Sequence, residues 1–357
     1  MKNFRTFLII SITTVVLNAC KKDEPEPIPV DSFSSRQLLL SDIATNVISA
    51  TYKDLNDKSI ALGSNIDELI FSTSDENLNI CKSDFKSLKS VWAQTESFDF
   101  GPAITESAAV RMNSWPLDKN GIDSILATSV ALSISYVNNI NGRFKGLQAI
   151  EYVLFGANGN KVASEITPRE LLFLNALIIN IQSISAKLAL EWKSDSSVGY
   201  FKPFVYAGDG SGVFSSQDTA YKLLANSMIS LADRIGGNVA SEPFNLTNQN
   251  LEEIPYSASS IKIFKDNIQG IKNIYIGSYF SDGKGLEDFV IIHNTTLNTK
   301  IKQQLDETLT ALSAITDPFG IAITTQATQI QTAVTKINAL KSSLKDEMLP
   351  LIKSKIS

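Results

Sequence analysis

Histidine occurs once in the 357 residues, at His293. A zinc hydrolase of the HExxH type needs two imidazoles on one helix face, so that chemistry is excluded. His293 lies between Ile292 and Asn294 in a helical stretch and reads as a packing residue. No Ser–His or Cys–His nucleophile is recognisable around it. Cysteine occurs twice, at Cys20 and Cys81, and methionine four times. No disulfide framework follows from that pair, and no CxxCH motif is present to attach haem covalently. Cys81 reads as a small buried residue. A basic stripe and an RNA-type aromatic motif are both missing, so no nucleic-acid partner is expected. Sustained period-two alternation is missing too, which argues against a sheet. The run Gly208-Asp209-Gly210-Ser211-Gly212 lacks the lysine of a phosphate-binding loop and follows no strand pattern, so it reads as a turn.

What is present describes a globular protein: 43% hydrophobic and 19% charged residues, on a chain long enough for two domains or one large one. The first residues are of another kind. Lys2 and Arg5 form a positive start, and Phe7 to Leu17 form an apolar run shorter than the roughly 20 residues of a spanning helix. Leu17-Asn18-Ala19-Cys20 resembles a lipobox, so residues 1–19 are expected to be a lipoprotein signal peptide, cleaved just before an acylated Cys20. An ordinary secretory leader is the alternative. Lys21-Lys22-Asp23-Glu24 is similar to the export signal of surface lipoproteins in Bacteroidetes-type bacteria, and otherwise reads as a charged tether. The expectation is an outer-membrane lipoprotein exposed at the cell surface, with the periplasmic leaflet as the alternative. Its partner would be the membrane, through the acyl chains on Cys20. Pro25, Pro27 and Pro29 stiffen a spacer over residues 20–33. Losing Lys2 and Arg5 with the leader takes the formal charge of −5 to about −7, a balance suited to cations or neutral partners.

From about Ser34 the pattern is helical. Leu38, Leu39, Ile43, Val47 and Ile48 recur at three-to-four spacing, and Leu78, Cys81, Phe85, Leu88 and Trp92 repeat it behind a Ser74-Asp75-Glu76 cap. Thr167-Pro168-Arg169-Glu170 predicts a helix start, followed by a run to Trp192 that is apolar on most faces and should be central. Glycines and a proline between Ser194 and Ser216 mark a connection. Further helices are predicted over Ser216–Gly236, Ser257–Tyr279, Gly285–Ile315 and Ala322–Lys353. The fold class is therefore all-α, as two helical bundles over 34–193 and 194–357.

Three segments, taken in order, resemble the imelysin family. The first is Trp92-Ala93-Gln94-Thr95-Glu96-Ser97-Phe98-Asp99-Phe100-Gly101-Pro102, followed by Asn113-Ser114-Trp115-Pro116-Leu117. The second, Gly146-Leu147-Gln148-Ala149-Ile150-Glu151, is similar to the family's GxHxxE signature with Gln148 in the histidine position. The third runs from Ile254-Pro255-Tyr256-Ser257 through Asn267-Ile268-Gln269-Gly270-Ile271 to Gly283-Lys284-Gly285-Leu286-Glu287-Asp288. The resemblance implies two α-helical bundles, an extracytoplasmic location and a site at Gly146–Glu151 near the junction of the bundles. It also implies either metallopeptidase activity or a part in iron uptake, with iron-uptake proteins as partners.

Gln148 and Glu151 stand three apart and share a helix face. A glutamine and a carboxylate make a poor zinc site. If Glu96 faces Glu151, their oxygens and the Gln148 carbonyl would suit a hard cation such as iron or calcium. Trp92, Asp99, Glu106 and Trp115 lie in or near the same segments. The competing reading is a structural network, with Glu151 hydrogen-bonded by Gln148, Trp92 or Trp115. Tyr200, Phe201, Phe204, Tyr206 and Phe214 could line a pocket for haem or simply pack. The functional expectation is a non-catalytic ligand- or metal-binding component of iron or haem uptake. A metallopeptidase using carboxylate ligands and a structural lipoprotein with a vestigial site are the alternatives.

Overall fold

The computed structural model describes residues 30–197 and 199–356, apart from the side chains of Asn238 and Val239. The expected signal peptide, Cys20 and the tether as far as Pro29 lie outside the described residues. Helices carry the described residues, and no strand occurs among them. Among the helices are α1 (Phe33–Asp42), α2 (Ala50–Phe71), α3 (Asp75–Thr95), α4 (Gly146–Phe155), α5 (Pro168–Glu191) and α6 (Gln217–Asp233). They are followed by α7 (Ser260–Ile276), α8 (Leu286–His293), α9 (Thr295–Ser313), α10 (Ala327–Ser342) and α11 (Leu349–Lys355).

Local chemistry sets several of these starts. Thr167 accepts a hydrogen bond from the Glu170 backbone N–H, and the Glu170 carboxylate accepts from the Thr167 N–H at 2.8 Å. That reciprocal cap, with Pro168 at the first position, launches α5 where the sequence predicts it. By length and apolarity α5 could cross a membrane, yet most of its apolar window is buried inside this fold, as a central core helix requires. Ser74 likewise caps α3 by accepting from Asn77 N. The long helix expected over Gly285–Ile315 is broken at Asn294. Its side chain accepts from Leu297 N at 2.9 Å and so starts α9 afresh. The helix expected from Ser257 begins at Ser260, because Ala258 takes a left-handed conformation (φ 52°).

Packing then gathers these pieces. α2 lies against both α3 and α5, and α4 packs on α3 and α5. In the second half α6 packs on α10 and α11, α7 on α9, and α9 on α10. The halves meet where α7 crosses α3. Buried apolar side chains from Leu39 to Ile356 make one continuous cluster, so the two expected bundles share a core. Around the glycine-rich connection, Trp192 stacks edge-on against Phe100, Tyr200 and Phe204, and Phe214 joins the group. These rings pack against one another. The turn at Gly208–Gly212 is tied by Ser211, which donates to Pro203 O and accepts from Phe214 N.

The α3–α7 crossing depends on Gly270. A methyl group there would sit 2.5 Å from the backbone carbonyl of Gln94, an atom that cannot swing aside. Gly270→Ala should therefore force the helices apart and lower stability by about 1–3 kcal/mol in urea unfolding. An unchanged midpoint would show that the crossing has slack.

Candidate functional site

Where α3 ends, a 3-10 turn over Glu96–Phe98 swings the chain toward Asp99, and a short helix, Ala108–Asn113, returns Asn113 to the same region. The first residue of α4 is seated against that helix. Gly146 has φ 79°, and a Cβ on it would lie 2.6 Å from the Met112 carbonyl. The glycine of the motif is thus a requirement of close backbone approach. It brings Gln148 within reach of Asn113, whose Oδ1 accepts from Gln148 Nε2 at 3.2 Å and from Lys89 Nζ at 2.5 Å.

Asn113 Nδ2 donates to Glu253 Oε1 at 3.0 Å, and Lys89 Nζ stands 3.7 Å from the same carboxylate. Arg234 closes the network. It donates from one nitrogen to Glu253 Oε2 at 3.2 Å and from the other to Glu96 Oε2 at 2.8 Å. Asn267, on α7, donates to Glu96 Oε2 at 2.7 Å and to Ala93 O at 2.8 Å. Arg234 opens a π-helical stretch, Arg234–Val239, at the end of α6. Such a wide turn re-aims side chains and recurs at functional sites.

The charges in this network are unequal in their environment. Burial raises the Glu96 carboxyl above its ordinary range, against the pull of Arg234. Burial also works on Glu253, but Lys89 and Arg234 outweigh it and hold that group below its ordinary value. Lys89 is pulled down by burial, which its acidic neighbours only partly offset. Glu253 is thus the firmly ionised partner, and Glu96 is the carboxyl more easily protonated.

In front of this network lies a cavity of about 630 Å³. Its walls include Tyr52, Trp92, Glu96, Asp99, Asn113 and Trp115 from the first half of the chain. Ser227, Ser230, Arg234, Glu242, Leu251 and Glu253 come from the second. Four of the residues singled out in the sequence, Trp92, Glu96, Asp99 and Trp115, therefore meet on one surface. Gln148 and Glu151 are not among the walls. Gln148 reaches the network through Asn113. Glu151 is 1% exposed, and its Oε1 accepts from Ser257 N at 2.7 Å and from Ser257 Oγ at 2.6 Å. Its partner is Ser257, in place of the Gln148, Trp92 or Trp115 considered from sequence. Glu151 Oε2 and the Trp92 indole N–H are buried without a hydrogen-bond partner among the described residues.

Glu96, Gln148 and Glu151 thus have separate partners instead of one shared centre. Among the described residues no three His, Cys, Asp or Glu side chains are grouped so as to hold a metal ion. His293 is bonded to Asp31 at 2.9 Å and lies beside the Phe289 ring. Glu106 pairs with Lys187 and Arg111 at the surface. Cys81 is buried, and burial pushes its thiol up to about 12.

The profile of the imelysin family matches residues 48–346. The chain belongs to the imelysin family. Iron-regulated protein A of Synechococcus elongatus is 24% identical over 282 residues, which cover 77% of this chain and 75% of that one. Two solved structures share the fold. One is a protein named as an iron-regulated protein A precursor from Parabacteroides distasonis, with TM-score 0.82 and 23% identity over 92% of this chain and 96% of the other. The second is an imelysin-like protein from Psychrobacter arcticum, with TM-score 0.74 and 15% identity over 91% and 97%.

The network beside the cavity rests on residues that the Gly146–Glu151 motif does not contain. Asn113, Ser257 and Asn267 stand in the segments that carry the family resemblance, but their roles depend on partners distant in sequence. Lys89, Arg234 and Glu253 stand outside those segments, and nothing in their local sequence marks them. Within the motif, Glu151 has a measurable signature. Burial pushes its carboxyl up to about 7 from an ordinary 4.5, although both Ser257 donors oppose the shift. The folded state therefore holds this proton longer than the unfolded one. The stability that Glu151 supports is full below the ordinary value and is lost as pH rises through about 7. Glu151→Gln should leave stability nearly unchanged at pH 4.5 and raise it by about 1–3 kcal/mol at pH 8, read by urea unfolding at both pH values. A variant less stable than the parent at pH 8 would show instead that the ionised carboxylate is needed.

Proposed function

We propose that this imelysin-family chain is a non-catalytic binding component of iron or haem acquisition, held at the outer membrane by an acylated Cys20. The observation that carries the binding role is the cavity between the two halves of the chain. At about 630 Å³ it falls in the size range of small-molecule sites, and it combines aromatic walls with a few convergent polar groups. The tie to iron is supported by the names of the similar proteins, iron-regulated protein A of Synechococcus elongatus and the iron-regulated protein A precursor of Parabacteroides distasonis. Display at the cell surface is supported by the Lys21-Lys22-Asp23-Glu24 stretch behind the lipobox, and docking to iron-uptake proteins by the family resemblance. A peptidase reading has no comparable support, since the motif lacks its histidine and no metal-binding group of three is assembled among the described residues.

Trp92 and Trp115 on the cavity wall give the test its signal. Ferric citrate or haem should quench tryptophan fluorescence saturably and release or absorb heat in calorimetry, and the response should weaken at least about tenfold in Arg234→Gln. Absence of any response to ferric citrate, haem or calcium would remove the iron-uptake reading. The anchor has its own check. Cells fed labelled palmitate should label the parent chain and not Cys20→Ala; equal labelling would sink the lipoprotein assignment.

A further inference from the structure

The glycine-rich connection and the lone histidine take no part in the cavity, yet both lie beside the start of α1. Asp31, two residues before α1, is held from two sides. Arg36 Nη1 donates to both of its carboxylate oxygens at 3.1 Å, and His293 Nε2 stands 2.9 Å from Oδ2. Gln217 extends this clamp. It donates from Nε2 to Phe33 O at 2.8 Å and accepts from Arg36 Nε at 2.8 Å. The Phe33 ring lies beside Gly208, where a Cβ would meet it at 3.5 Å. The loop beyond Gly208 projects into open space, since a Cβ on Gly210 or Gly212 would meet nothing within 4 Å.

The surface around this clamp carries apolar side chains. Phe33, Tyr206, Val213, Ile291 and Ile292 are all exposed, Val213 by 56%. They come from three segments: the start of α1, the glycine-rich connection, and the end of α8 next to His293. Single exposed apolar residues need no partner, but a gathered set marks a contact surface. The chain that precedes Asp31 says what meets it. Asp31 stands eleven positions after Cys20, a length that reaches at most about 40 Å when fully extended. With Cys20 acylated, a lipid surface is always within one tether length of the clamp, at a higher effective concentration than a soluble partner reaches. Tyrosine and branched aliphatic side chains suit the boundary between headgroups and acyl chains. We infer that this face docks on a lipid surface, with Phe33, Tyr206, Val213, Ile291 and Ile292 resting on the membrane that holds the protein's own acyl chains. Acyl chains alone would leave the orientation of the fold free, and the docked face fixes it. This rests on the reading of Cys20 as a lipid anchor and is independent of what the cavity binds.

The experiment uses the full acylated chain, reconstituted into vesicles of palmitoyloleoyl phosphatidylethanolamine and phosphatidylglycerol that contain a nitroxide-bearing lipid. An environment-sensitive fluorophore is attached at Gly212→Cys in one preparation and at Phe71→Cys in another. Phe71 is 88% exposed and ends the helical run that opens at Phe33 and passes through a π-helical stretch, Ile43–Ser49, into α2. That run puts roughly 50 Å of helical rise between the two ends. Cys20 is blocked by its acyl group and Cys81 is buried, so the label goes to the new thiol. The nitroxide should quench the reporter at position 212 about twofold or more and leave the one at position 71 nearly unchanged. Adding Val213→Asp with Ile291→Asp should abolish the quenching at 212, while the chain still sediments with the vesicles through its acyl chains. Both side chains are exposed, so circular dichroism should match the parent. Equal quenching at the two positions, or none at 212 in a chain that sediments, overturns the docking face and leaves the anchor standing. A reporter at 212 that is shielded from aqueous iodide only as protein concentration rises, without nitroxide quenching, assigns the face to a second copy and overturns the lipid contact. A chain that carries no acyl group and stays in solution overturns the anchor and the docking face together.

Discussion

The guanidinium of Arg234 is the joint on which the rest of the site depends. Its two terminal nitrogens hold carboxylates from opposite halves of the sequence, Glu96 at the end of α3 and Glu253 in the connection before α7. A planar fork can do this with fixed geometry, whereas an ammonium offers only a point charge. Around it the remaining demands of burial are met in sequence. Lys89 answers Glu253, Asn113 bridges Lys89 and Glu253, and Gln148 completes Asn113. Removing Arg234 would take from Glu96 its ion pair among the described residues, which costs more than the pair itself contributes.

Two close backbone approaches place that joint. Gly270 lets α7 lie against the Gln94 carbonyl, which brings Asn267 to Glu96 and Ala93. Gly146 lets α4 start against Met112, which brings Gln148 to Asn113. Neither glycine touches the cavity. Both act by allowing helices to meet at distances that a methyl group would prohibit, so the polar network inherits its geometry from the packing.

The motif position where the family signature has histidine acquires a physical meaning here. Gln148 can donate its amide to Asn113 and so serve the network without carrying charge. Glu151, three residues on, belongs to a different partnership, with the backbone and hydroxyl of Ser257. One helix turn therefore serves two neighbourhoods, and the motif secures the join between the halves of the chain as well as any site it borders.

Much of the architecture could be read from the sequence because it is local. The Thr167–Glu170 cap, the apolar run of α5 and the lack of alternation each act over a few residues, so an all-α chain and its long helices followed directly. The break at Asn294 and the π-helical start at Arg234 did not, since each is a competition between nearly equal backbone arrangements that side-chain contacts resolve. Of the candidate residues, Trp92, Glu96, Asp99 and Trp115 were legible through the family resemblance and do share a wall. Lys89, Arg234 and Glu253 carried no sequence signal. Composition and periodicity determined which faces must be buried and hence the class of fold. Only the tertiary structure decided which carboxylate meets which cation, because Arg234 meets Glu96 and Lys89 meets Glu253 across more than a hundred residues of chain.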